Sequence, residues 1–123
     1  MLVDDDEELR ELLAETLRGH GFSVVTASNG KEALERLRSA ALPAAVLLDL
    51  NMPIMNGWQF CAAKNADDAL KALPVLVLSA AANKDPASPY YLAVDEVVAE
   101  PIEIDELLSA IGRLLGRSAG RAA

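Results

Sequence analysis

The sequence contains few aromatic residues, a single cysteine and no long apolar run. Aromatic side chains make up 4% of the 123 residues and apolar residues 52%, so the core must be built from aliphatic side chains. Cys61 has no disulfide partner in the chain, which suits a reducing compartment. No run approaches the roughly 20 apolar residues of a membrane span, and the start lacks the pattern of a signal peptide. We therefore expect a cytoplasmic protein that makes no membrane contact.

Basic residues are also scarce. The chain has 11 lysine and arginine residues against 19 aspartate and glutamate residues, which gives a net charge of −8. Nucleic acids and anionic membranes attract basic surfaces, so this balance argues against direct contact with either. We expect the partners of this chain to be other proteins and cations.

Strand-like and helix-like segments alternate along the whole chain. The two central strand segments, at 44–49 and 74–79, are apolar without alternation, which is typical of parallel strands covered by helices on both sides. The pattern predicts an α/β fold with a doubly wound five-stranded parallel sheet, forming one domain over residues 1–116 before a flexible tail at 117–123. The other predicted strands are 1–4, 22–27 and 97–99, and the predicted helices are 7–18, 30–39, 58–69, 88–94 and 104–115.

Polar side chains stand where three of the predicted strands end. Asp4, Asp5 and Asp6 follow the first strand, Asp49 ends the third, and Ser79 ends the fourth. In open α/β sheets, ligands bind beyond the carboxyl ends of the strands, so these residues should converge. Neighbouring carboxylates repel one another, and a hard divalent cation with oxygen ligands, Mg²⁺ above all, removes that repulsion. An aspartate in such a site can attack a phosphoryl group, and a nearby hydroxyl can bind the phosphoryl oxygens.

Three segments carry a specific combination of motifs: LVDDD at 2–6, LLDLNMPIMNG at 47–57 and VLSA at 77–80. With these segments the chain resembles the receiver domain of two-component response regulators over about Leu2 to Leu115. The resemblance implies a flavodoxin-like sheet of strand order 2-1-3-4-5 with helices on both faces.

The resemblance also implies a role for each site residue. Asp49 would accept a phosphoryl group from a histidine kinase or a phosphotransfer protein. Asp5 and Asp49 would bind Mg²⁺ directly, together with the backbone carbonyl of Asn51. Asp4 would assist through water, and Ser79 would be the switch hydroxyl. The domain would then signal to a downstream effector, and it would not be an enzyme beyond its own phosphotransfer and dephosphorylation.

Two residues depart from the family pattern and keep other functions open. Glu100 precedes Pro101 where the family has lysine, and Val97 stands at the position of the aromatic switch residue. Both favour a degenerate receiver that acts as a phosphorylation-independent interaction module. A phosphatase or phosphotransferase with an aspartyl nucleophile would need a second acid that the segment Asp49-Leu50-Asn51 lacks. A flavin-binding relative would need a phosphate-binding loop after the first strand, where three aspartates stand instead.

Overall fold

Five short strands and four helices make up the part of the chain that the structure describes. This computed structural model describes residues 1–50, 52–78, 94–98 and 101–122, with side chains up to residue 116. The strands are β1 Leu2–Val3, β2 Thr26–Ala27, β3 Val46–Asp49, β4 Val75–Leu78 and β5 Glu96–Val98. The helices are α1 Glu7–Gly19, α2 Gly30–Ser39, α3 Gly57–Asn65 and α4 Ile104–Ala122.

The strands form one parallel sheet in the order β2-β1-β3-β4-β5. This order confirms the fold that the resemblance implied. Successive side chains of a strand point to opposite faces, and β3 shows this directly. Leu48 joins an apolar cluster with residues of α2 and α3, whereas Leu47 joins a second cluster with residues of α1 and α4. The sheet is therefore covered on both faces, which explains why β3 and β4 are apolar without alternation.

The predicted ends of several elements are wrong. The second strand was predicted over 22–27, but only Thr26–Ala27 pairs with the sheet, because its neighbour β1 is two residues long. The third helix ends at Asn65 instead of residue 69. The buried Lys64 donates a hydrogen bond to the carbonyl of Lys71 (3.0 Å), and Asp67 accepts one from the amide of Ala69 (2.9 Å). Such side-chain bonds give the backbone an alternative to the helix.

The last helix continues to Ala122, although the sequence predicted its end at Leu115. Glycine ends a helix when it adopts a left-handed conformation, and residue 116 instead remains helical. The domain boundary at 116 and the flexibility of 117–123 stay predictions. Three predicted site residues lie outside the described ranges: Asn51, Ser79 and Glu100. The same is true of the predicted helix at 88–94, apart from its last residue. Within those ranges, no helix is both long enough and apolar enough to cross a membrane.

The loop between β3 and α3 is held closed at its base. The amide of Gly57 donates to the carbonyl of Leu50 (2.9 Å), and Asn56 caps α3 in a reciprocal pair with Gln59. A Cβ atom on Gly57 would lie 2.6 Å from Leu50 Cδ2 and 2.7 Å from Leu50 Cα. Glycine is thus required here because the backbones of Leu50 and Gly57 approach so closely.

Replacing Gly57 by alanine should therefore lower the free energy of unfolding by roughly 2 kcal/mol or more, because the backbone of Leu50 must move. Gly112→Ala is the matched control, since nothing lies within 4 Å of a Cβ there. Alanine inside α4 should raise the free energy of unfolding by about 0.5–1 kcal/mol. Urea unfolding followed by circular dichroism measures both. Equal midpoints for the two variants would contradict the close approach.

Candidate functional site

Three carboxylates meet at the carboxyl edge of the sheet. One carboxylate oxygen from each of Asp4, Asp5 and Asp49 can be chosen so that all lie within 4.8 Å of one another. The pairing of β1 with β3 produces this arrangement, because Val3 lies beside Leu48 and the next residue of each strand path is an aspartate. The sequence thus predicted correctly that these three side chains converge.

The three carboxylates differ in their exposure to solvent. Asp4 is 3% exposed, Asp49 is half-buried and Asp5 is exposed. Burial raises the pKa of Asp4 above its ordinary value. A hydrogen bond from the amide of Asp6 lowers that pKa, the negative charges of Asp5 and Asp6 raise it, and the charge of Arg10 lowers it, in decreasing order of effect. The site therefore contains a carboxylate whose ionisation is disfavoured by its surroundings.

The prediction that Asp6 joins the acidic cluster is wrong, because Asp6 caps the helix that follows. Its amide donates to Oδ1 of Asp4 (2.9 Å), and its own carboxylate accepts from the amide of Leu9 (3.1 Å) at the start of α1. Asp6 is therefore the N-cap of α1, which fixes the turn that carries Asp4 and Asp5. The acidic run before α1 therefore serves two functions: Asp4 and Asp5 belong to the carboxylate cluster, and Asp6 caps the helix.

Arg10 is a neighbour of the site that the sequence analysis missed. Its Nη1 donates to the backbone carbonyl of Asp4 (2.8 Å). Among the described residues, its Nε is the buried side-chain nitrogen that lacks a hydrogen-bond partner. The sequence signal that could have identified Arg10 is that it is a lone basic residue among the acidic residues of the first turns of α1. The charge of this guanidinium lowers the pKa of Asp4 and so partly offsets the effect of its burial.

The donor set fits a hard divalent cation. The cluster offers carboxylate oxygens and no histidine or cysteine, which suits Mg²⁺ or Ca²⁺ better than zinc. The exposure of Asp5 leaves a side on which water molecules can complete the coordination of a bound ion. The chemical fit rests on the donor set together with its placement at the carboxyl edge of the sheet.

Two further positions bear on the site. Val97 is half-buried in β5, pairs with Val77 of β4 and packs against the cluster that α2 and α3 cover. Its aliphatic side chain leaves this position without the aromatic ring that the resemblance implied. Ile54, in the loop after β3, has a positive φ of 68° and a side chain that is 76% exposed, and the sequence analysis did not single it out.

The fold and the acidic edge together define a receiver domain, and comparison with known proteins agrees. The family profile of the response regulator receiver domain matches residues 1–112, so the chain belongs to this family. It is 36% identical to the response regulator MprA of Mycolicibacterium vanbaalenii, over 96% of this chain and 50% of that protein. It is 38% identical to the CpxR homolog of Haemophilus influenzae, a transcriptional regulatory protein, over 97% of this chain and 51% of that protein.

Solved structures show the same fold. The chemotaxis response regulator CheY4 of Vibrio cholerae superposes with a TM-score of 0.79 at 28% identity, covering 92% of this chain and 94% of that one. A CheY-like receiver domain protein from Methanospirillum hungatei superposes with a TM-score of 0.80 at 25% identity, covering 98% of this chain and 95% of that one. The chain spans about half the length of the curated relatives named above, whereas it covers nearly all of these two structures.

The raised pKa of Asp4 predicts a pH-dependent gain in stability for Asp4→Asn without divalent cations. A carboxylate whose pKa is higher in the folded state destabilises that state once the pH exceeds its ordinary pKa, about 3.9. Asparagine removes this penalty and keeps an Oδ1 that can accept from Asp6. In EDTA, Asp4→Asn should be more stable than wild type at pH 7, and the gain should shrink as the pH falls towards about 4 and be absent below it. Urea unfolding across this range measures it, and a gain independent of pH would contradict the assignment.

Proposed function

We propose that this domain accepts a phosphoryl group on Asp49 in a Mg²⁺-dependent reaction and passes the signal on by protein contact. The observation that carries the proposal is the convergence of Asp4, Asp5 and Asp49 within 4.8 Å at the carboxyl edge of the sheet. That this chain belongs to the response regulator receiver domain family supports the same reading. The donor is a histidine kinase or a phosphotransfer protein that carries a phosphohistidine.

The burial of the three carboxylates favours Asp49 as the nucleophile. Asp4 is 3% exposed, so a donor protein cannot reach it. Asp49 is half-buried and ends β3, which is paired with strands on both sides and is therefore rigidly placed. Asp5 is exposed in the turn before α1 and is free of the sheet ladder. A nucleophile fixed on a rigid strand meets the incoming phosphorus in a defined position.

The metal site of this proposal consists of the carboxylates of Asp5 and Asp49 and the backbone carbonyl of Asn51, with Asp4 acting through water. When bound there, Mg²⁺ would offset the negative charge of the carboxylates and of the phosphoryl oxygens. An oxygen of Asp49 attacks phosphorus, and the bond from phosphorus to the histidine nitrogen breaks. The electron pair stays on that nitrogen, which takes up a proton, and Asp49 becomes an acyl phosphate. The hydroxyl of Ser79 would then bind a phosphoryl oxygen.

The output in this proposal is a change in protein contacts. The domain is not an enzyme for an external substrate, because its phosphoacceptor is its own side chain. Two relatives described above are about twice as long as this chain, and one is named as a transcriptional regulatory protein. The net charge of −8 argues that any contact with DNA is made by an effector domain or protein and not by this domain.

Asp49→Asn should abolish phosphorylation, because the isosteric amide cannot form an acyl phosphate. Wild-type protein incubated with phosphoramidate and Mg²⁺ should gain one base-labile phosphoryl group, detected by intact mass spectrometry. Asp6→Ser is the matched control: it removes a neighbouring carboxylate and keeps a side chain able to cap α1. We expect its yield to equal that of wild type. A wild-type yield in Asp49→Asn would show that another residue is the acceptor.

The degenerate receiver is the second candidate function, favoured by glutamate at position 100. Lysine there would place a cation beside the phosphoryl group, and glutamate reverses that charge at an already acidic site. Two like charges about 6 Å apart cost roughly 3 kcal/mol at an effective dielectric near 20. This would slow phosphorylation or shorten its lifetime without unfolding the domain.

Glu100→Lys should therefore raise the phosphorylation yield from phosphoramidate at constant Mg²⁺. Glu103→Lys, which makes the same change in net charge at an exposed position, is the control and should leave the yield unchanged. An unchanged or lower yield in Glu100→Lys, with the fold intact, would mean that the glutamate is compensated. If neither wild type nor Glu100→Lys gains a phosphoryl group, the result would contradict phosphorylation of Asp49 and favour the phosphorylation-independent function.

A further inference from the structure

Ile54 occupies a backbone conformation that isoleucine disfavours. The amide of Met55 donates to the carbonyl of Pro53 (2.7 Å), and Ile54 between them has a φ of 68°. This is a γ-turn of the positive-φ type, which is rare and strained. Positive φ is a genuine outlier for a β-branched residue, whereas glycine and asparagine tolerate it.

The surrounding contacts impose this conformation without help from the Ile54 side chain. The amide of Gly30 donates to the carbonyl of Met55 (3.2 Å), and the amide of Gly57 closes the loop onto Leu50 (2.9 Å). The Ile54 side chain is 76% exposed, more than the other exposed large apolar side chains of the described residues, which are Leu12 (61%), Val25 (52%) and Leu42 (48%). Isoleucine at this position therefore does not stabilise the fold: its backbone is strained, and little of its apolar surface is buried.

The position of Ile54 shows what could cover it. It lies five residues after Asp49, in a loop whose base is closed at the carboxyl end of β3. A protein that transfers a phosphoryl group to Asp49 must bring its phosphohistidine to this edge of the sheet, so its surface must approach this loop. This step rests on the proposed function.

Charge alone gives a phosphodonor little attraction at this edge. Three carboxylates lie within 4.8 Å of one another, and the chain has a net charge of −8, so these charges repel an anionic phosphohistidine and a bound Mg²⁺ would offset only part of that repulsion. Apolar contact is the interaction that can stabilise docking there despite this repulsion. We propose that Ile54 is a docking contact for the phosphodonor protein, inserting its side chain into an apolar pocket beside the donor's phosphohistidine.

The test compares a protein donor with a small one. Radiolabelled, autophosphorylated catalytic cores of a panel of histidine kinases are screened against wild type, and the fastest donor is kept. For that donor, Ile54→Asn should lower kcat/KM about tenfold or more, mainly through KM. Its rate with phosphoramidate should stay within about twofold of wild type, because that donor has no docking surface. Its Tm should rise by about 4 °C as the backbone strain is relieved.

Two further variants control for side-chain chemistry and position. Ile54→Leu keeps an apolar side chain and should retain transfer from the kinase. Leu42→Asn removes another exposed apolar side chain, which precedes the amino end of β3, and should also retain it. Unchanged transfer from the kinase in Ile54→Asn would overturn the proposal. So would an equal loss with phosphoramidate, or a fall in Tm, since either would give Ile54 a role in the chemistry or in the fold.

Failure of the inference can be told apart from failure of the proposed function. Wild-type protein that gains no phosphoryl group on Asp49 from phosphoramidate would contradict the proposed function itself. Wild-type protein that reacts with phosphoramidate but with no kinase of the panel would leave phosphorylation standing and would count against a docking contact for such donors.

Discussion

Repulsion among Asp4, Asp5 and Asp49 is the constraint around which this domain is organised. The parallel pairing of β1 with β3 places these carboxylates together, so the same contacts that build the sheet create the repulsion. Burial of Asp4 makes the arrangement more costly, because it disfavours the charged form. The rest of the fold must supply the stability that offsets this cost, and a bound cation can remove much of it.

Two features of the chain itself oppose the repulsion. The amide of Asp6 and the guanidinium of Arg10 both lower the pKa of Asp4, and both come from the turn and helix that follow β1. The aliphatic clusters on the two faces of the sheet hold this turn in place, because α1 packs on one of them through Leu13 and Leu17. The core thus fixes the acidic edge in a geometry that separate, mobile carboxylates would avoid.

The sequence predicted those features that depend on local pattern. Apolar runs identified β3 and β4, and residues at strand ends identified the acidic cluster, because parallel strands share one carboxyl edge. Features that depend on tertiary contacts were missed. The length of β2 depends on its partner β1, and the end of α3 depends on a buried lysine, Lys64, that binds the following turn. The γ-turn at Ile54 is imposed by hydrogen bonds around it, including one from the distant Gly30, against the preference of isoleucine.

The most direct test of this account is the effect of Mg²⁺ on stability. If the carboxylates bind Mg²⁺ with a dissociation constant near 1 mM, then 10 mM Mg²⁺ should raise the free energy of unfolding at pH 7 by about 1.4 kcal/mol. Asp5→Asn removes an exposed ligand without disturbing the sheet ladder, so it should lose most of this gain. Urea unfolding with and without Mg²⁺ at constant ionic strength measures the difference. The account predicts a full Mg²⁺-dependent gain in wild type and only a small remainder in Asp5→Asn, and it would be contradicted by no gain in wild type or by an equal gain in Asp5→Asn.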